Sequence, residues 1–155
     1  MMTFRSRNDE RQKALKDFQK LRRWESASPN GYVRCISCGK ILDVREAQGG
    51  HLVSRRIRAT ELEPDNVWPQ CPQCNGPYSG NVIAYRANLV KLIGEKRVRR
   101  IEDMANASEG DEEAYQRLSD DDKRSLINRK TESDYHNLAK EYRAATRRLQ
   151  KEKVS

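Results

Sequence analysis

The pair Cys35-Ile36-Ser37-Cys38, followed by Gly39, is answered after residues 39–70 by Cys71-Pro72-Gln73-Cys74, followed by Asn75, and these two knuckles decide the fold. A Cys-x-x-Cys turn directs two thiolates toward one point, and two such turns complete a tetrahedral S₄ site that suits Zn²⁺. Gly39 fits the tight backbone that the first turn requires. Four thiolates leave no open coordination position, so Cys35, Cys38, Cys71 and Cys74 are expected to hold one structural zinc per chain. Disulfides would need an oxidising compartment, and a redox role would need a separate scaffold for each pair.

The chain has 155 residues, of which 35% are hydrophobic and 35% charged, with a mean hydropathy of −1.02. Such a composition fills only a small core, which a metal or a partner subunit would have to support. No apolar run approaches a membrane span and no signal-peptide pattern opens the sequence, so a cytoplasmic address without membrane association is expected. The net charge is +8, and all of it resides in residues 1–60, which carry 14 basic and 6 acidic side chains. Residues 61–155 carry 17 of each. A basic block beside a neutral one fits a face that binds a polyanion, although basic helices also serve solubility alone.

Around the cysteines the sequence divides into three regions, 1–31, 32–104 and 105–155. Residues 8–26 read as a basic helix with an apolar stripe of Leu15, Phe18, Leu21 and Trp24, capped by Asn8 or Asp9. Residues 32–73 break into short β-like pieces at Tyr32–Cys35, Lys40–Leu42, His51–Ser54 and Asn66–Pro69. Helices are expected over Asn81–Ile93, stopped by Gly94, and over Glu95–Met104, followed by a polar linker at Ala105–Asp111. Ser119–Asp122 resembles a capping box that opens another helix, and Thr131 opens the last one. There Tyr135, Leu138, Tyr142, Ala145 and Leu149 form a heptad seam, suited either to a helix of the same chain or to a second copy. His136, beside that seam, has no partner by spacing. The fold class is therefore α+β, with a zinc-stapled centre flanked by a basic helix and a C-terminal helical arm.

Between and beside the knuckles stand the residues that can do chemistry. His51 heads the piece Gly50-His51-Leu52-Val53-Ser54-Arg55-Arg56, Asn66 follows 15 positions on, and Asn75 adjoins Cys74. A hairpin pinned by zinc would bring His51 toward Asn75, with Arg55 and Arg56 close by. An imidazole to take a proton, an amide oxygen for a hard cation and guanidiniums for phosphate make a set able to cleave a phosphodiester. Each has a plainer reading: His51 as a structural or solvated histidine, Asn75 as a helix cap, Trp68 and Tyr85 as core.

Gly-His, Asn and Cys-x-x-Cys-Asn between two knuckles resemble the HNH, or ββα-metal, nucleases. CISCGK, GGH, EPDNVWPQCPQCN, SGN, YRANLVKLIG and RRIEDM are similar to the phage NinG/Rap recombination nucleases, over Cys35 to about Met104. The resemblance implies a metal-dependent, structure-specific DNA endonuclease acting on Holliday junctions and D-loops during phage recombination in the bacterial cytoplasm. It implies His51 as general base, Asn66 as the residue tying the loop between two strands, and Asn75 as ligand to a catalytic Mg²⁺ or Mn²⁺. Arg55 or Arg56 would hold a phosphate oxygen. A homodimer would present two sites to a junction of approximate two-fold character, and other recombination proteins would be possible partners.

Two departures stand out. Gly50 takes the place where many HNH enzymes carry Asp or His as a further metal ligand, with Asp43 and Glu46 as the nearby carboxylates, and Tyr78 replaces a commonly basic residue. They keep two alternatives open: a non-catalytic zinc-ribbon DNA-binding accessory protein, and a sequence-specific HNH nicking or homing endonuclease.

Overall fold

The computed structural model describes residues 6–153. It is a mixed α+β fold, mostly helical, with two small antiparallel sheets. Helix α1 (Arg7–Ser26) begins one residue earlier than the periodicity predicts. Its cap is Ser6, whose Oγ accepts from the Asp9 amide while Asp9 Oδ2 accepts from the Ser6 amide, so Asp9 serves the box from inside the helix.

Strands β1 (Tyr32–Arg34) and β2 (Ile41–Asp43) form the first hairpin, pairing Tyr32 with Asp43 and Arg34 with Ile41. Its turn carries Cys35 and Cys38 and closes through Gly39 at φ +79°. Strands β3 (Gln48–His51) and β4 (Val67–Gln70) form the second, with Gln48 opposite Gln70 and His51 opposite Val67. The β piece expected over His51–Ser54 thus lies three residues earlier, and His51 ends the strand instead of starting it. Gln-Gly-Gly has little intrinsic strand preference, and packing imposes the strand. A Cβ on Gly49 would come within 2.7 Å of Gln19 Cβ on α1, and one on Gly50 would overlap the Gln70 amide at 1.7 Å.

After β4 come the single turn α2 (Pro72–Asn75) and helix α3 (Val82–Ile93), joined through Asn81 in the left-handed region. Tyr85 of α3 is fully buried and donates its hydroxyl to the Gly50 carbonyl at 2.8 Å, which fixes α3 against β3. With Leu89 and Val98 it forms a core bordered by Ile36, Leu52 and Trp68. Helix α4 (Glu95–Ser108) does not stop at Met104. Ala105, 3% exposed, continues the buried line Val98, Ile101, Met104, so the expected linker at Ala105–Asp111 is largely helix and the boundary after Met104 falls inside it. Short helices α5 (Glu112–Arg117) and α6 (Asp120–Ile127) follow. Ser119 caps α6 through the Asp122 amide, but the Asp122 carboxylate binds Arg100 of α4 instead of closing a capping box.

Helix α7 (Glu132–Lys153) packs along α1, and the two run parallel. His136 meets Glu10, Arg143 meets Asp17, and Lys153 reaches the Ala27 carbonyl, each pair 126 residues apart in sequence. Phe18 and Tyr142 stack at 5.0 Å between ring centroids. The predicted seam is therefore used within the chain, with its buried line at Tyr135, Ala139 and Thr146. His136, expected to lack a partner, is held by the buried Glu10. No helix among the described residues is long and apolar enough to cross a membrane.

Candidate metal centre and active site

The hairpin turn after β1 and the cap of α2 bring Cys35, Cys38, Cys71 and Cys74 together, with all four Sγ atoms within 4.8 Å of one another. Zinc–sulfur bonds of about 2.3 Å in a tetrahedron put the sulfurs about 3.8 Å apart, and Cys38 Sγ lies 3.7 Å from Cys71 Sγ. All four are free thiols. The donor set and its spacing fit Zn²⁺, and among the described residues no other group of three or more His, Cys, Asp or Glu donors converges.

The surroundings favour a cation. Burial pushes the Cys74 thiol up to about 12. Burial would raise Cys35 too, but backbone N–H groups of Cys38, Cys71 and Ser37 outweigh it and bring that thiol down to about 7. A divalent ion relieves the crowding that keeps all four from ionising together. Asn81 Nδ2 reaches Cys74 Sγ at 3.6 Å, and its left-handed backbone at the start of α3 places it there. Three of the cysteines also belong to the core formed by Trp24, Val33, Leu42 and Val44, so metal and apolar packing share one centre.

On the second hairpin, His51 Nε2 lies 2.9 Å from the Glu61 backbone oxygen. Burial holds the imidazole below its ordinary pKa and the positive charge of Arg55 adds to this, while the carbonyl offsets part of the shift. Glu61 is completely buried, its carboxylate held by Arg11 Nε at 2.7 Å and by the Tyr135 hydroxyl at 2.8 Å. Arg11 also donates to the Arg55 carbonyl at 2.9 Å. Helices α1 and α7 thus clamp the loop on which His51 leans. Nothing in the run Ala59-Thr60-Glu61-Leu62 marks Glu61 as buried, and sequence reading passes over it.

Asn66 is also completely buried. Its Oδ1 accepts from the Val53 amide at 2.8 Å, and its Nδ2 donates to the Val53 and Thr60 carbonyls. It stitches both limbs of the 52–66 loop together. Arg55 and Arg56 diverge: the charge of Arg55 acts on His51, whereas Arg56 lines a separate cleft.

Asn75 hydrogen-bonds elsewhere. Its Nδ2 donates to Gln48 Oε1 at 2.8 Å, at the opposite end of β3 from His51. Side chains alternate along a strand, so Gln48 and His51 face opposite sides of the hairpin. The structure therefore joins His51 to Glu61 and Asn75 to Gln48, and makes no direct bond between His51 and Asn75. Gly50 lies against Gln70, whose Nε2 is bound by Ser37 and Gly80 while its buried Oε1 has no partner. Asp43 is engaged by Arg45 through both carboxylate oxygens, which burdens it as a further metal ligand.

Comparison with known proteins matches residues 3–130 to the family described as Bacteriophage Lambda NinG protein. Protein ninG of Escherichia phage 933W is 32% identical over 72 residues, covering 46% of this chain and 36% of that protein. Protein ninG of Escherichia phage lambda is 32% identical over 72 residues, covering 46% of this chain and 35% of the relative. Protein ninG of Salmonella phage P22 is 32% identical over 68 residues, covering 44% and 34%. The similarity thus spans about a third of the length of these relatives. No solved structure matches the chain. With the family match running through both cysteine knuckles, His51, Asn66 and Asn75, the chain belongs to the NinG family of lambdoid bacteriophage proteins.

Proposed function

We propose that this chain is a metal-dependent, structure-specific DNA endonuclease of the HNH type that cleaves branched recombination intermediates, Holliday junctions and D-loops. The hydrogen bond from His51 to the Glu61 carbonyl carries this reading. A carbonyl oxygen only accepts, so Nε2 carries the ring proton and Nδ1 is left as an acceptor, the tautomer a general base needs. Burial keeps that imidazole neutral near physiological pH.

In this reading His51 takes a proton from the attacking water. Arg55, placed to act on the same imidazole, holds a non-bridging phosphate oxygen. Asn66 keeps the loop that presents both. Asn75 donates its Nδ2 to Gln48, and its Oδ1 would serve as the oxygen donor for Mg²⁺ or Mn²⁺ once the side chain leaves Gln48 and turns toward the His51 face. Such a cation, when bound, supplies charge for the phosphate and for the departing 3′ oxygen. The products are 5′-phosphate and 3′-hydroxyl ends. A homodimer would deliver paired cuts to a four-way junction, through a surface other than the α1–α7 seam, which is already occupied.

A second reading, a zinc-ribbon DNA-binding accessory protein without activity, draws on a specific observation. Asn75 is bonded at the far end of β3 from His51, and Gly50 offers no side chain as a further ligand. The test incubates the zinc-loaded chain with a synthetic four-way junction and its matching linear duplex, with and without Mg²⁺ or Mn²⁺, beside His51→Ala. Metal-dependent cuts near the branch, lost in His51→Ala while binding persists, are the expected result. Junction binding without cuts under either metal overturns the nuclease and leaves the accessory protein. Cuts in the linear duplex at one sequence identify a nicking or homing enzyme instead.

A further inference from the structure

A cleft of about 360 Å³ opens on the outer side of the Arg11–Glu61–Tyr135 cluster, and Tyr135 forms part of its wall. Three separate segments meet there. The first turn of α1 supplies Arg7, the β3–β4 loop supplies Arg56 and Arg58, and the connection between α6 and α7 supplies Arg129 and Lys130. Two acids also line it, Glu63 and Glu109, and Glu63 is already paired with Arg100 at 3.1 Å. None of the five cations lies within 4.0 Å of a described carboxylate, although Lys130 acts on Asp134 from farther away, whereas Arg11, Arg86, Arg100 and Arg143 are all in direct ion pairs. Arg7 Nε is moreover closed off from solvent and has no hydrogen-bond partner.

Five cations against two acids, one of them already paired with Arg100, leave the concavity with an excess of positive charge that repels itself. An anion with several oxygens entering the cleft offsets that repulsion, and a phosphodiester is such a ligand. The cleft takes Arg56 and Arg58 from the loop that leads away from His51 and carries Arg55, so a nucleic-acid backbone following that loop passes from one place to the other.

We propose that Arg7, Arg56, Arg58, Arg129 and Lys130 form a phosphate-binding cleft that grips the DNA backbone beside the His51 site. The choice of DNA as the polyanion rests on the endonuclease reading; the cleft itself does not. It gives the α6–α7 connection, far in sequence from the zinc knuckles, a part in holding substrate, and it uses backbone contacts that carry no base sequence.

The test measures binding of fluorescently labelled duplex and four-way junction without added Mg²⁺ or Mn²⁺, so that cleavage plays no part and the cysteine-bound zinc is kept, across a salt series. Arg58→Gln/Arg129→Gln and Arg129→Gln/Lys130→Gln are compared with Arg148→Gln/Lys151→Gln, a charge-matched pair of exposed residues near the end of α7. Each cleft double variant is expected to lose roughly 10-fold in affinity at moderate salt and to lower the slope of log K against log salt by about 2. The control is expected to stay within about 2-fold of wild type. Equal losses in all three would show only a net-charge effect and overturn the site, as would wild-type binding by both cleft variants. Folding is checked by zinc content and circular dichroism. If the cleft variants lose affinity although the wild type never cuts, the nuclease reading fails and the cleft stands. If they bind and cut as wild type does, the cleft fails and the nuclease stands.

Discussion

His51 and Glu61 meet through a side chain on one and a backbone on the other: Nε2 of the imidazole lies 2.9 Å from the carbonyl oxygen. The Glu61 carboxylate meanwhile points the other way, into Arg11 and Tyr135. One residue thus fixes the ring orientation of the candidate base and anchors the helices behind it.

Burial and then the Arg55 charge hold His51 below its ordinary 6.5, and a histidine serving as general base works only unprotonated. Cleavage should therefore persist below that pH and fall with an acid-limb midpoint beneath 6.5. Removing the charge in Arg55→Gln should move the midpoint upward, whatever it does to the maximal rate. Single-turnover rates across pH check both, and an unmoved midpoint would count against the coupling. The same shift acts on stability. The unfolded chain binds the proton more readily than the folded one, so His51 contributes no penalty above the unfolded pKa and a growing one as pH falls toward the folded pKa.

Glu61→Ala leaves the Arg11 guanidinium buried without its carboxylate and the Tyr135 hydroxyl without its acceptor. Breaking a buried pair from one side costs about 3–5 kcal/mol. Urea denaturation should show a stability loss of that size, while Asp43→Ala, which removes only the solvent-screened pair with Arg45, should leave the midpoint nearly unchanged.

Removal of zinc should unfold the β1–β2 hairpin and the core around it, because Cys35, Cys71 and Cys74 are themselves core residues. One zinc per chain should be released on treatment with a thiol-reactive mercurial, in step with loss of circular-dichroism signal. Cys74→Ser should bind zinc weakly and melt at a lower temperature. A folded, zinc-free chain with an unchanged melting temperature would refute the structural role.

Gly50→Ala should destabilise the fold by about 1–3 kcal/mol through overpacking, since the added Cβ would sit 1.7 Å from Gln70 Oε1. Gln70→Ala removes the obstructing amide, so the double variant should recover part of that loss. A strictly additive double-mutant cycle would contradict the contact.

The cysteine spacing is enough to bring four thiols to one point able to hold a metal, because ligand number and loop length are written directly in residues 35–38 and 71–74. Apolar periodicity likewise placed α1, α3 and α7. It failed where structure comes from neighbours. Gln48-Gly49-Gly50 becomes a strand because α1 and Gln70 press on it from either side. The helix Glu112–Arg117 is too short and too charged to show a period, and Asp111 supplies its cap through a contact with the Ala114 amide. Around His51, the sequence offered the histidine and the arginines but not Glu61 or Arg11, whose burial depends on α7 arriving from 74 residues further along. The basic cleft was hidden for the same reason: positions 7, 56, 58, 129 and 130 have no common spacing to read.

Because α1 and α7 lie parallel at a constant separation of 126 residues, the nascent chain meets a long delay. The apolar side of α1 leaves the ribosome with neither β4 nor α7 yet made, and Ala14, Phe18 and Trp24 wait without their final cover. Contacts of such sequence separation also make folding slow, since much loop entropy is lost before they form. A chain interrupted before Glu132 would keep Ala14 and Phe18 open, without Tyr135, Ala139 and Tyr142 to cover them. Such an unfinished chain is the form that holding chaperones and proteases would meet, and the arrival of α7 decides when α1 escapes them.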